Sequence, residues 1–250
     1  MPIGNGGIIG PRNVPTQLVA SGIWTLDEVL RARADNIWPF IFPRVTGSDA
    51  TVLEGTNTSY NAPLPDNIQA GERLVLLVAN ASGSALTVGT PSGWDLGFTD
   101  IGGGSLRRLS CFYKTATGLE GSTVALSASA NSRWVSNSYR IADSGAIEFG
   151  TTATGTGSVA NPPNLAPSWG AAYGTLWIAV QANFGNTATA VTAPANYTDL
   201  IQASAISGGD DSPRLASAIR LLSAAAENPG TFSGASGSNW AANTIGLRAA

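Results

Sequence analysis

The sequence predicts an all-β protein: a jelly-roll-like β-sandwich with internal duplication, preceded by an extended N-terminal arm and one short α-helix. Three observations carry that prediction. Leu74 to Ala79 and Leu176 to Val180 are short unbroken apolar runs, the pattern of strands buried on both faces. Turn-forming clusters punctuate the chain at Gly102-Gly103-Gly104, Asn131-Ser132, Gly208-Gly209-Asp210-Asp211 and Asn228-Pro229-Gly230. From about residue 48 the chain also repeats itself in order, and a repeated unit constrains the fold more than any single segment does.

Residues 1–21 hold Gly4, Gly6, Gly7, Gly10, Pro2, Pro11 and Pro15, a density that forbids a regular helix and disfavours a central strand. Ile3, Ile8, Ile9, Val14 and Leu18 make the segment too apolar for a free tail, so it reads as an arm laid across a partner. A helix follows. Thr25 is its N-cap, with Glu28 completing a capping box and Trp24 stapled to Val29. Asp27 and Glu28 suit the positive end of the helix dipole. Leu26, Val29, Leu30 and Ile37 share one face, and Pro39 ends the helix. So short a helix needs something to pack on, either the protein's own core or a partner. Phe40, Ile41, Phe42 and Val45 link this attachment segment, residues 1–45, to the body, residues 46–250.

Within the body, Arg73–Asn80 followed by Thr90-Pro91-Ser92-Gly93-Trp94 matches Thr175–Ala182 followed by Ala193-Pro194-Ala195-Asn196-Tyr197. Phe112–Leu126, with Glu120, matches Ile219–Phe232, with Glu227, and Trp134–Tyr139 matches Trp240–Ile245. The offsets run from 102 to 107, which defines pseudo-repeats of about 48–146 and 147–250. Val124, Leu126 and Ala128 alternate with polar or small neighbours as in a half-buried strand. Val135, Asn137, Tyr139 and Ile141 lie on one face of the next strand, with Trp134 on the other. Each copy supplies few strongly apolar strands, so one sandwich built from two halves is favoured over two tandem sandwiches.

Composition narrows the chemistry. Net charge is −3 and charged residues make up 12%, about half the usual share. That excludes a basic stripe for nucleic acid. Of the basic residues only Lys114 is a lysine. No run approaches the roughly 20 apolar residues of a membrane span, and the N-terminus lacks a signal-peptide pattern, so folding in a cytoplasm is expected. There is no histidine, which removes Ser-His-Asp and Cys-His catalysis. A single cysteine, Cys111, allows neither an internal disulfide nor a thiolate zinc site and reads as a buried thiol. Asp210-Asp211 lacks the alternating oxygen ligands of a calcium loop, and no Lys-Ser or Lys-Thr follows the Gly102 run. The expectation is a protein that is not an enzyme and carries no cofactor or metal.

Among the aromatics, Trp94 and Tyr197 follow turn residues at equivalent places and could stack on a sugar. Trp94 itself, like Trp134, Trp177 and Trp240, lies in the repeated strands or loops and reads as core before platform. Trp24 and Trp38 bracket the helix, where aromatic anchors carry binding energy.

Ile9-Gly10-Pro11, Pro15-Thr16, Ser21-Gly22-Ile23-Trp24-Thr25-Leu26-Asp27-Glu28 and Trp38-Pro39 resemble the N-terminal segment of structural proteins from tailed bacteriophages. Ala70-Gly71-Glu72, Thr90–Trp94, Pro162-Pro163, Pro194–Tyr197 and Ala226–Phe232 are similar to the marks of a β-sandwich domain in such virion proteins. The resemblance implies a non-enzymatic virion component, a tail fibre or tail-end appendage. Ile8, Ile9, Trp24, Leu26, Val29, Leu30 and Trp38 would attach it to other virion proteins of the tail, baseplate or capsid. A homo-oligomer, with a trimer favoured, and contact with a host surface glycan follow from the same resemblance. The alternatives are a capsid decoration or cement protein, and a carbohydrate-binding module using Trp94 and Tyr197.

Overall fold

The computed structural model describes residues 27, 28, 30, 41–102, 106–185, 190–205, 212–234 and 238–250. The chain divides into two units, Met1–Ile41 and Phe42–Ala250. In the first, Asp27, Glu28 and Leu30 have helical backbone, and the remainder of the predicted arm and helix lies outside the described residues.

The second unit is all-β. Its first half contributes β1 (Arg44–Pro63), β2 (Arg73–Ala81), β3 (Asp95–Ile101), β4 (Arg107–Thr115) and β5 (Thr123–Ala142). The second half contributes β6 (Ser144–Phe149), β7 (Ala153–Gly157), β8 (Thr175–Phe184), β9 (Thr198–Ser204), β10 (Pro213–Leu222) and β11 (Ser238–Ala249). The strands form two antiparallel sheets, ordered β1-β5-β2-β4-β3 and β6-β11-β8-β10-β9, with β7 beside β6 on β11. The two orders are the same order. Each half therefore closes its own sheet, and the duplication is a duplication of sheets in one sandwich. The two-layer architecture is as expected, but the route differs from that of a jelly roll, whose strands alternate between layers. Here each layer is contiguous in sequence because each repeat completes its own pairing.

Apolar clusters fill three levels. Between the sheets, Val75, Leu77, Leu109, Cys111, Val135 and Ile141 meet Leu176, Ile178, Val180, Leu215, Ile245 and Leu247. Outside the first sheet, Leu76, Val78, Phe112 and Trp134 are covered by Tyr60, Ala62 and Leu126. Outside the second, Trp177, Ala179, Ala218 and Trp240 are covered by Leu165, Val191, Tyr197 and Phe232. This explains the unbroken apolar runs: β2 and β8 have a core on each side, so both of their faces must be apolar. Removing either fully buried indole, Trp134 or Trp177, would cost about 3–5 kcal/mol.

Two details depart from the sequence reading. Asn131-Ser132 is not a turn: β5 continues through it as strand, and the register against β1 shifts there, between Leu53 and Ser59 on β1 and between Trp134 and Ser127 on β5. The true correspondence of the central strands also lies one residue along from the apparent one. Leu77 pairs with Asn137 and Cys111, and Val180 pairs with Asn243 and Ser217; with Trp134 matched to Trp240, Leu77 answers to Val180 and Cys111 to Ser217. A one-residue slip would turn every side chain to the wrong core.

Candidate functional site

The duplication repeats small features closely. Trp94 and Tyr197 each donate a backbone N–H to a proline carbonyl, of Pro91 and Pro194, at 3.1 Å in both cases. Gly93 (φ 76°) and Asn196 (φ 67°) hold the same left-handed corner, which glycine and asparagine tolerate best. Lys114–Glu120 and Arg220–Glu227 are equivalent ion pairs, both at 2.9 Å. Against such regularity, the places where the halves differ are informative.

One such difference among the described residues lies at the two lateral seams, where an edge of one sheet meets an edge of the other. At the β3–β6 seam, Phe149 inserts its ring beside Phe98 (5.9 Å, edge-on at 75°) and Tyr113 (5.4 Å). Gly97 makes the room, since a Cβ there would come within 2.6 Å of that ring. Arg73 lies over the Tyr113 ring at 5.8 Å and donates to the Gly145 carbonyl at 3.0 Å, bridging the seam. This seam is sealed.

The opposite seam, between β1 and β9, is open. The strand pairings place Ser48, opposite Tyr139, where Phe149 stands opposite Ile245. They likewise make Ile219 the counterpart of Tyr113, Ile201 of Phe98, Leu200 of Gly97 and Leu176 of Arg73. With the ring and the guanidinium replaced by a hydroxymethyl and an aliphatic group, a cleft of about 700 Å³ remains. That is within the size range of ligand sites. Leu176, Ile201 and Ile219 form its apolar floor, and Arg44, Thr46, Ser48 and Asp199 its polar rim. Leu221 at its edge is 49% exposed.

The polar groups around the cleft are engaged in holding the fold. Arg44 Nε donates to Asp143 at 2.9 Å, and the Thr46 hydroxyl donates to Glu72 at 2.6 Å. Tyr139 shares a hydroxyl hydrogen bond with Ser217 at 2.6 Å, and Asn137 Nδ2 donates to the same Ser217 oxygen at 2.9 Å. Burial pushes the Tyr139 phenol well up, with the Ser217 bond opposing and the Asp199 charge adding to the rise, so it stays neutral and is a poor base. Behind the sealed seam a second polar cluster joins Thr152 and Asn243, both donating to Asp100. Burial raises the Asp100 pKa, and those two donors hold part of the rise back. Burial also drives the Cys111 thiol far up, so it is inert, as its place in the core predicts. Among the described residues no cluster of three or more His, Cys, Asp or Glu side chains is placed to hold a metal. The cleft's chemistry is that of binding: apolar contact below, hydrogen bonding at the rim.

Of the residues singled out in the sequence, Ile8, Ile9, Trp24, Leu26, Val29 and Trp38 lie outside the described residues. Leu30 is helical and 55% exposed. Trp94 is half-buried against the outer cluster of the first sheet. Tyr197 is 7% exposed in the outer cluster of the second, its hydroxyl donating to Glu227 at 3.3 Å. The two aromatics thus belong to opposite outer faces and form no common platform. The cleft residues escaped the sequence reading because Ser48 stands outside every matched block; a repeat alignment carried back to Phe149 would have exposed the exchange.

Comparison with protein-family models, curated proteins and solved structures gives no match.

Proposed function

We propose that the chain is a non-enzymatic structural protein of a tailed-bacteriophage virion, a tail fibre or tail-end appendage attached through residues 1–45. The reading is supported by the division of the chain at Ile41 and Phe42, where the phage-like N-terminal motif has just ended. Beyond that point, Phe42–Ala250 has its own sheets and its own three apolar clusters, as a projecting module requires. A trimer is the assembly proposed, since symmetric homo-oligomers dominate and phage appendages favour it.

The test is to delete residues 1–41 in the phage and label particles with gold-tagged antibody against 42–250. Tail-end label on wild-type particles that disappears on deletion, with the purified fragment still melting cooperatively, is the expected result. Label over the head would replace this reading with a capsid decoration protein. Incorporation of the truncated chain would remove the attachment role of the arm.

A further inference from the structure

We propose that the open β1–β9 seam is a docking site for an aromatic side chain of a partner polypeptide. The sealed seam shows what the same backbone takes up: one phenyl ring, contributed from a neighbouring strand and held between residues of β3 and β4. The open seam keeps the receiving strands and loses the ring, because Ser48 occupies the Phe149 position. Leu176, Ile201 and Ile219 line the cleft with apolar side chains. The polypeptide source follows from the cleft walls. β1 and β9 are both edge strands, and their outward backbone groups offer hydrogen bonds that an extended segment can take. At the rim the Asp199 carboxylate, which accepts from the Thr198 hydroxyl at 3.0 Å, stands beside those edges and has acceptor capacity left for a main-chain N–H of such a segment. This inference concerns the sandwich alone and does not rest on the virion reading.

The experiment uses the full chain with methyl-labelled isoleucine and leucine, titrated with N-acetylphenylalaninamide and followed by NMR. Saturable shifts centred on Leu176, Ile201 and Ile219 are expected. N-acetylleucinamide should give shifts at least several-fold weaker. Ser48→Phe should supply the missing ring from within, abolish those shifts and raise the melting temperature. The absence of saturable shifts in the wild type would overturn the proposal. So would undiminished binding to a folded Ser48→Phe variant, or equal binding of the leucine amide. Tighter binding of benzyl alcohol than of the capped amino acid would overturn the polypeptide source, making the cleft a small-molecule site. Phe149→Ser gives an independent check: where it folds, the titration should report a second site on Phe98 and Tyr113.

Discussion

The two lateral seams of this sandwich share a backbone plan and differ in a handful of side chains. On one side Phe149, Tyr113, Phe98 and Arg73 fill the space, with Gly97 cleared to admit the ring. On the other, Ser48, Ile219, Ile201, Leu176 and Leu200 stand at the matching positions and leave a cleft. The lesson is that a duplicated fold supplies its own control. Where both copies keep a feature, as with the paired turns at Trp94 and Tyr197, the feature serves the fold. Where one copy abandons a well-packed arrangement, stability has been forgone at one place, and the vacancy is a candidate for interaction.

The sharpest way to break the comparison is to unseal the closed side. Phe149→Ala removes a half-buried ring with two aromatic neighbours and should destabilise the chain by about 3 kcal/mol. Urea unfolding would measure it, and a loss under about 1 kcal/mol would mean that the ring only decorates the surface. Arg73→Leu copies the open seam's residue into the sealed one. It forfeits the hydrogen bond to Gly145 and the stacking on Tyr113, an expected cost of about 1 kcal/mol by the same assay. A neutral outcome would assign the seal to Phe149 alone.

The smallest effect is a pH dependence carried by the ion pair of the first half. Burial of Glu120 acts to raise its pKa, but the Thr117 backbone donor, Lys114, its own backbone N–H and the Thr117 hydroxyl outweigh it and hold the carboxyl down to about 2, from an ordinary 4.5. Because the folded value is the lower one, Glu120 stabilises the protein fully above pH 4.5. That contribution is lost as the pH falls from 4.5 toward 2. Glu120→Gln should therefore flatten the acid limb of a plot of urea midpoint against pH, while leaving the first sheet less protected in hydrogen exchange at neutral pH. An unchanged acid limb would show that these contacts do not survive in solution.

Part of this was legible in the residues. The alternation of Val124, Leu126 and Ala128 marks a strand with one wet face, and the structure has these residues half-buried or buried between exposed neighbours. The unbroken runs at Leu74 and Leu176 mark strands covered on both faces, which β2 and β8 are. Register was not legible there, for the same reason. A strand with two apolar faces gives no alternation, so Leu74 and Leu176 look equivalent although one points to the outer cluster's side and the other into the core between the sheets.

By itself, then, the sequence determined an all-β body, its duplication, the burial of Cys111 and the core role of Trp134 and Trp177. These follow from local composition and period, which each segment carries alone. Only the tertiary structure decided that Tyr197 is buried, that it and Trp94 lie on opposite faces, and that Ser48 borders a cleft while Phe149 seals one. Those outcomes depend on which distant edges meet. Ser48 and Ile219 line one cleft because two sheets, each complete within its own half, stack face to face, and no single segment records that stacking.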